Sequence, residues 1–306
     1  MKNSEKHKRR KWKYTLLLFT VKSFSLLPLW YFYFVSDCAY LVGCKIFGYR
    51  KRVITNNLEK SFPEKSEKEI IRIRNRFYRN FCDWLVESIK GQTMRKRNFL
   101  KRVKVTGGMD IIHDMIRQKK SIISMNAHFF NWEWLCVMTE YYPREYKMLT
   151  VFQPANNIEF SDVQNRLRER FGCITIPMAN TLSVVARNYQ KNILGIHYFF
   201  ADQSPPANNP FWTTFFNQET SFYLGSEKIA SKFDFGVVYL DMYKPRRGYY
   251  EVSFKLISNN AKESKEYEIT HEYVKLLEEH IRKHPENWLW SHRRWKRQRP
   301  EEIVLR

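Results

Sequence analysis

Hydrophobic positions change rhythm along the chain, and the changes predict the elements. From Tyr14 to Ser36 the sequence is almost wholly apolar, interrupted by Lys22 and Pro28. That is long enough to cross a bilayer, which takes about 20 apolar residues. Beyond it, Phe62-Pro63-Glu64-Lys65 reads as a turn, and Ser66 with Glu69 forms a capping-box pattern. Ile70, Ile73, Phe77, Phe81, Trp84 and Leu85 follow at helical spacing, so an amphipathic helix is expected over residues 66–90.

From there helices and short apolar runs alternate. Helices are expected near 108–119, 131–141, 157–171, 181–190, 222–233 and 265–283. Strands are expected at 121–125, 148–152, 174–176, 193–200, 236–242 and 249–257. Strands alternating with helices imply an α/β layered fold with a mostly parallel sheet flanked by helices. In such sheets ligands collect at the carboxyl ends of strands. The expected organisation is a basic, membrane-associated segment over residues 1–44 and a catalytic domain over 45–306. No cleavage site of small residues follows the apolar stretch, which disfavours a removed signal peptide.

Charge refines the reading of the N-terminal stretch. Fifty-three basic residues against 31 acidic ones leave a net charge of +22, which calls for an anionic partner. Basic residues flank the apolar stretch on both sides, from Lys2 to Lys13 and again at Lys45, Arg50, Lys51 and Arg52. A single span would place one cluster on the wrong face. Lys22 within hydrocarbon would cost about 2.5–3.5 kcal/mol. A helix or bent hairpin lying in the cytoplasmic leaflet fits better, with a transmembrane anchor as the alternative. A nucleic-acid-binding protein also accounts for the charge, but not for the apolar stretch, and no RRM, KH or helix-turn-helix signature is present. A non-catalytic membrane scaffold is a third reading. The five cysteines form no C-x-x-C pair, H-E-x-x-H is absent, and neither G-x-G-x-x-G nor a Walker loop occurs. No metal and no cofactor is therefore expected.

The chemistry concentrates in residues 121–134. A strand is expected to end near Asn126, with His128 in the turn and Glu133 opening the next helix. On one continuous helix two residues five apart lie roughly 140° apart and would not meet. With His128 in the turn, its ring can fold back on Glu133, whose carboxylate would fix the tautomer and stabilise the imidazolium of a general base. A purely structural His is the competing reading. His197, inside an apolar strand, reads as a core histidine.

This segment resembles the H-x-x-x-x-(D/E) motif of the lysophospholipid acyltransferase superfamily. More narrowly, the chain resembles the late acyltransferases of lipid A biosynthesis, over nearly its whole length. The resembling blocks include Tyr49-Arg50-Lys51-Arg52-Val53, Arg166 to Gly172, Asp202-Gln203, Phe215-Phe216, residues 225–230 and residues 285–296. The resemblance implies a glycerolphosphate acyltransferase-like fold at the cytoplasmic face of a bacterial inner membrane. It implies acyl carrier protein as thioester donor and a lipid A precursor, or another membrane lipid, as acceptor. It implies His128 and Glu133 as the catalytic pair, with direct attack and no acyl-enzyme. Arg170 best matches the family's basic block and is expected to bind substrate phosphate, whereas Arg166 and Arg168 read as a solvated helix face. Asp202 and Gln203 are expected to order the active-site loop or touch a head group, with a loop cap as the alternative. Asn131 and helix-start amides are candidates for the oxyanion. Phe129, Phe130, Trp132 and Trp134 are candidate walls of an acyl groove. Residues 288–299, mixing Trp with Arg, suit a headgroup layer or an acidic carrier.

Overall fold

The computed structural model describes residues 2–154, 157–206 and 208–306. The chain begins with helices α1 (Lys2–Ser25) and α2 (Leu29–Ala39), then a π-helical segment, Tyr40–Ile46. Pro28 stands at the N-cap of α2 in extended conformation, where its fixed φ and missing N–H stop one helix and start the next. No single described helix is long and apolar enough to cross a membrane. Tyr14–Ser25 and Leu29–Cys44 pass that test only together, as a pair bent by 109°. Leu16, Phe19, Phe24, Trp30, Phe34 and Leu41 stand exposed on it. An apolar face of this size in water marks a membrane-associated element.

Helices α3 (Lys51–Ser61), α4 (Glu67–Gly91) and α5 (Lys96–Arg102) follow. The capping box forms as expected: Ser66 Oγ accepts from Glu69 N–H, and Ser66 N–H donates to Glu69 Oε2 at 2.9 Å. Helix α4 buries Ile70, Ile73, Phe77, Cys82 and Val86 along one stripe and lies against α2. The contact between them is polar in places. Ser36 donates to Asp83 at 2.7 Å and Tyr33 to Glu87 at 3.0 Å.

The remainder is layered. Strand β1 (Val103–Gly107), α6 (Met109–Arg117), β2 (Ile122–Asn126), a 3₁₀ helix (Trp132–Tyr141), β3 (Lys147–Phe152), α7 (Ile158–Glu169) and β4 (Ile174–Pro177) come first. Then follow α8 (Thr181–Gln190), β5 (Gly195–Phe200), β6 (Trp212–Phe215), β7 (Gln218–Ser221), α9 (Gly225–Phe233), β8 (Gly236–Arg246), β9 (Tyr249–Ser258) and α10 (Glu268–Lys283). The seven-stranded sheet has the order β1-β9-β8-β2-β5-β3-β4. Strands β8, β2, β5, β3 and β4 are mutually parallel, while β9 turns back antiparallel on β8 and pairs in parallel with β1. The mostly parallel sheet matches expectation. The first strand and the small β6–β7 hairpin carry no strong apolar run and were not anticipated. The expected helix over 131–141 is instead a 3₁₀ helix.

Strand β2 lies at the centre, and every residue of it is buried. Ile122, Ile123 and Met125 are fully enclosed, each contributing about 1.5–3 kcal/mol by leaving water. Gly248, at φ +73°, closes the β8–β9 hairpin, and a Cβ there would strike the Tyr33 hydroxyl of α2. The hairpin thereby docks directly on the membrane-associated pair.

Candidate active site

Strands β2 and β5 are parallel neighbours with Asn126 opposite Phe200. Two residues further on each chain, the register sets His128 beside Asp202 at the carboxyl ends of the strands. The His128 ring nitrogen Nδ1 lies 2.7 Å from Asp202 Oδ1, and the His128 backbone N–H donates to Asp202 Oδ2 at 3.0 Å. The Trp288 indole donates to the same Oδ2 at 2.8 Å. Asp202 is 2% exposed. Burial by itself would raise its pKa, but the His128 charge and these three hydrogen bonds outweigh burial and hold the carboxyl at about 2. An ionised acceptor on Nδ1 makes that nitrogen the donor, so the neutral imidazole carries its lone pair on Nε2. Gln203 Nε2 lies 3.4 Å from it.

His128 lies on the wall of a cavity of about 490 Å³. Trp132, Met178, Leu182, Phe199 and Phe200 supply apolar wall; Arg168, Gln203, Ser226, Lys228 and Lys232 supply polar groups. An apolar hollow with a few converging polar groups suits a ligand with a hydrocarbon part and a polar part.

A family model for bacterial lipid A biosynthesis acyltransferases matches residues 2–297. The chain belongs to that family. It is thus an acyltransferase of lipid A and lipopolysaccharide biosynthesis. A comparison with individually curated proteins gives no significant match.

Within this acyltransferase the expected His128–Glu133 contact does not form. Glu133, 1% exposed, takes a two-pronged ion pair from Arg168, with Nη2 to Oε1 at 2.7 Å and Nε to Oε2 at 2.8 Å. The Trp132 indole also donates to Glu133 Oε1 at 3.0 Å, and the Trp132 ring stands edge-on to the imidazole. The carboxylate on the imidazole is Asp202. The 3₁₀ winding after Asn131 aims Glu133 at α7 rather than back at the turn.

Asn131 is likewise spent on structure. Its Oδ1 accepts from Glu133 N–H at 3.1 Å, capping the 3₁₀ helix, and its amide donates to Glu87 Oε2 at 3.1 Å. Fully buried, it has its oxygen and one of its two amide hydrogens committed to these structural bonds. Arg170 is exposed, donates to the Gly91 carbonyl, and lies outside the cavity wall; Arg168, expected as a solvated residue, is the arginine on that wall. Arg166 pairs with the Tyr14 hydroxyl at 2.6 Å and so ties α7 to α1. Of the four aromatic groove candidates only Trp132 faces the cavity, while Phe129, Phe130 and Trp134 are core. His197 is a core histidine, stacked on Phe235 and held by the Ile122 carbonyl, with burial pushing its pKa down to about 4.

The Trp- and Arg-rich block at the end folds back over the Asp202 loop. Besides the Trp288 bond, Ser204 donates to the Arg294 carbonyl at 2.5 Å, and buried Arg294 donates to the Ser221 carbonyl at 2.6 Å. Trp288 and Arg294 of this block thus help to seat the Asp202 loop.

Proposed function

We propose that the acyltransferase moves a fatty acyl chain from the thioester of acyl carrier protein onto a hydroxyl of a lipid A precursor, at the cytoplasmic face of the inner membrane. The observation that carries this reading is a buried, ionised Asp202 holding His128 so that Nε2 faces an apolar-walled cavity.

In the reaction, His128 Nε2 takes the proton of the acceptor hydroxyl as its oxygen attacks the thioester carbonyl. Asp202 fixes the tautomer and stabilises the imidazolium that results. The C–S bond then breaks, and the imidazolium returns its proton to the leaving thiolate. The chain of the acyl group lies against Met178, Leu182, Phe199 and Phe200. Gln203, whose amide nitrogen lies 3.4 Å from His128 Nε2 on the same cavity wall, is placed to donate to the carbonyl oxygen. Glu133 acts through Arg168, as a positioning residue. The bent apolar pair and the net charge of +22 support a site working at an anionic membrane face with an acidic carrier.

The test is transfer by purified protein from acyl carrier protein and from acyl-coenzyme A to a lipid A precursor, with His128→Ala alongside. Transfer from the carrier thioester that disappears in His128→Ala supports the reading. Equal or better use of coenzyme A would remove the carrier as donor, and an unacylated precursor would remove it as acceptor.

A further inference from the structure

The far wall of the cavity is built by the start of α9, and its chemistry is that of an anion site. The helix is nine residues long, and Leu224 at its N-cap offers no side-chain cap. The first-turn amides therefore lack the usual oxygen partner, and the helix dipole adds partial positive charge. Gly225 leaves this end open, since a Cβ there would meet nothing within 4 Å. Ser226 lies on the cavity wall and is 2% exposed, yet its hydroxyl has no hydrogen-bond partner among the described residues. A buried hydroxyl left unpaired costs about 1–3 kcal/mol, so a ligand oxygen there removes a penalty. Lys228 and Lys232, one and two turns along, stand on the same wall.

The one acidic side chain in the first turn does not compete. Glu227 points away, accepting from the backbone N–H groups of Tyr267 and Thr270 at 2.6 and 2.9 Å, where it caps α10. The end of α9 is thus electropositive, uncapped and supplied with one idle hydroxyl.

We propose that the N-terminus of α9, with Ser226, Lys228 and Lys232, is a phosphate subsite. It holds a substrate phosphate while His128 works on another part of the same cavity. Phosphate fits this donor set better than carboxylate, because amides, a hydroxyl and two ammonium groups together serve three or four oxygens. The proposal rests on the acyl-transfer reading for the identity of the substrate. Two phosphates are then available: the diester of the phosphopantetheine arm and a sugar phosphate of the acceptor.

Equilibrium binding to the full-length protein in detergent separates them without any turnover. One arm compares the methyl phosphodiester of S-dodecyl-4′-phosphopantetheine with S-dodecyl-pantetheine, and the other compares a lipid A precursor with its dephosphorylated form. The expected result is a roughly tenfold gain from phosphate in one arm, which identifies the source. Ser226→Asp and Lys228→Glu should each abolish the gain while leaving the phosphate-free ligand within about twofold. Ser226→Ala, the mildest change, should reduce the gain by a few-fold. A phosphate that adds nothing in either arm, or a gain that survives both charge reversals, would overturn the proposal. Acyl transfer that persists without any phosphate gain would remove the subsite alone; a phosphate gain in a protein that transfers no acyl chain would remove the reaction alone.

Discussion

Replacing Asp202 with Asn should separate chemistry from folding at this site. The carboxyl is held at about 2 against an ordinary value of 3.8, a preference for the ionised form on the order of 2 kcal/mol. Asparagine keeps the size but loses the charge, and its amide nitrogen can be offered to His128 Nδ1. The imidazole would then place its proton on Nε2, the nitrogen that must be bare to take a proton from the acceptor. We expect kcat to fall about a thousandfold while KM changes little. Stability should also depend on the carboxyl in a defined window. Because the folded pKa is depressed, the contribution is complete above about pH 4, declines as pH falls and is gone below about 2. The stability gap between wild type and Asp202→Asn, followed by denaturant unfolding in detergent, should therefore close between pH 4 and pH 2. A variant within about fivefold of wild-type kcat would refute the role given to Asp202. A gap that stays constant over that pH range would refute the charge argument.

Other consequences are equally open to measurement. Arg168→Met leaves the 1%-exposed Glu133 without its counter-charge and should cost about 3 kcal/mol of unfolding free energy, the low end for a broken buried pair because Arg168 is partly exposed; a loss under 1 kcal/mol would show the pair to be unimportant. Trp30→Asp with Phe34→Asp puts two charges on the exposed face of α2 and should reduce co-sedimentation with anionic vesicles at least tenfold, leaving the melting temperature nearly unchanged. Leu182→Trp narrows the apolar wall and should lower kcat/KM for long acyl donors more than for short ones; an equal loss for all lengths would place the chain elsewhere.

Much of the layered fold was legible because apolar runs and capping signals are local. Ser66 and Glu69 announce α4, and Ile122, Ile123 and Met125 mark the buried strand 122–126. The site was only partly legible. His128 could be singled out from its place between a strand and a helix, and Asp202-Gln203 from a strand end. Their union depends on the register of β2 against β5, a long-range fact that spacing along the chain does not carry. Spacing lets an imidazole in the turn fold back on Glu133, but the 3₁₀ helix after Asn131 turns that carboxylate toward Arg168 instead. Arg168 lies in α7's last turn and Arg170 just past its end, and which of them meets the cavity depends on what packs there, which the sequence does not carry. Trp288 gave no local signal, since its bond to Asp202 crosses 86 positions.

The most direct test of the His128–Asp202 unit is a double-mutant cycle in kcat for acyl transfer, using His128→Ala, Asp202→Asn and the pair together. If the carboxylate acts through the imidazole, removing it from the His128→Ala protein should cost less than about twofold. A further thousandfold drop in the double variant would show that Asp202 acts independently of His128, and the proposed pairing would be wrong.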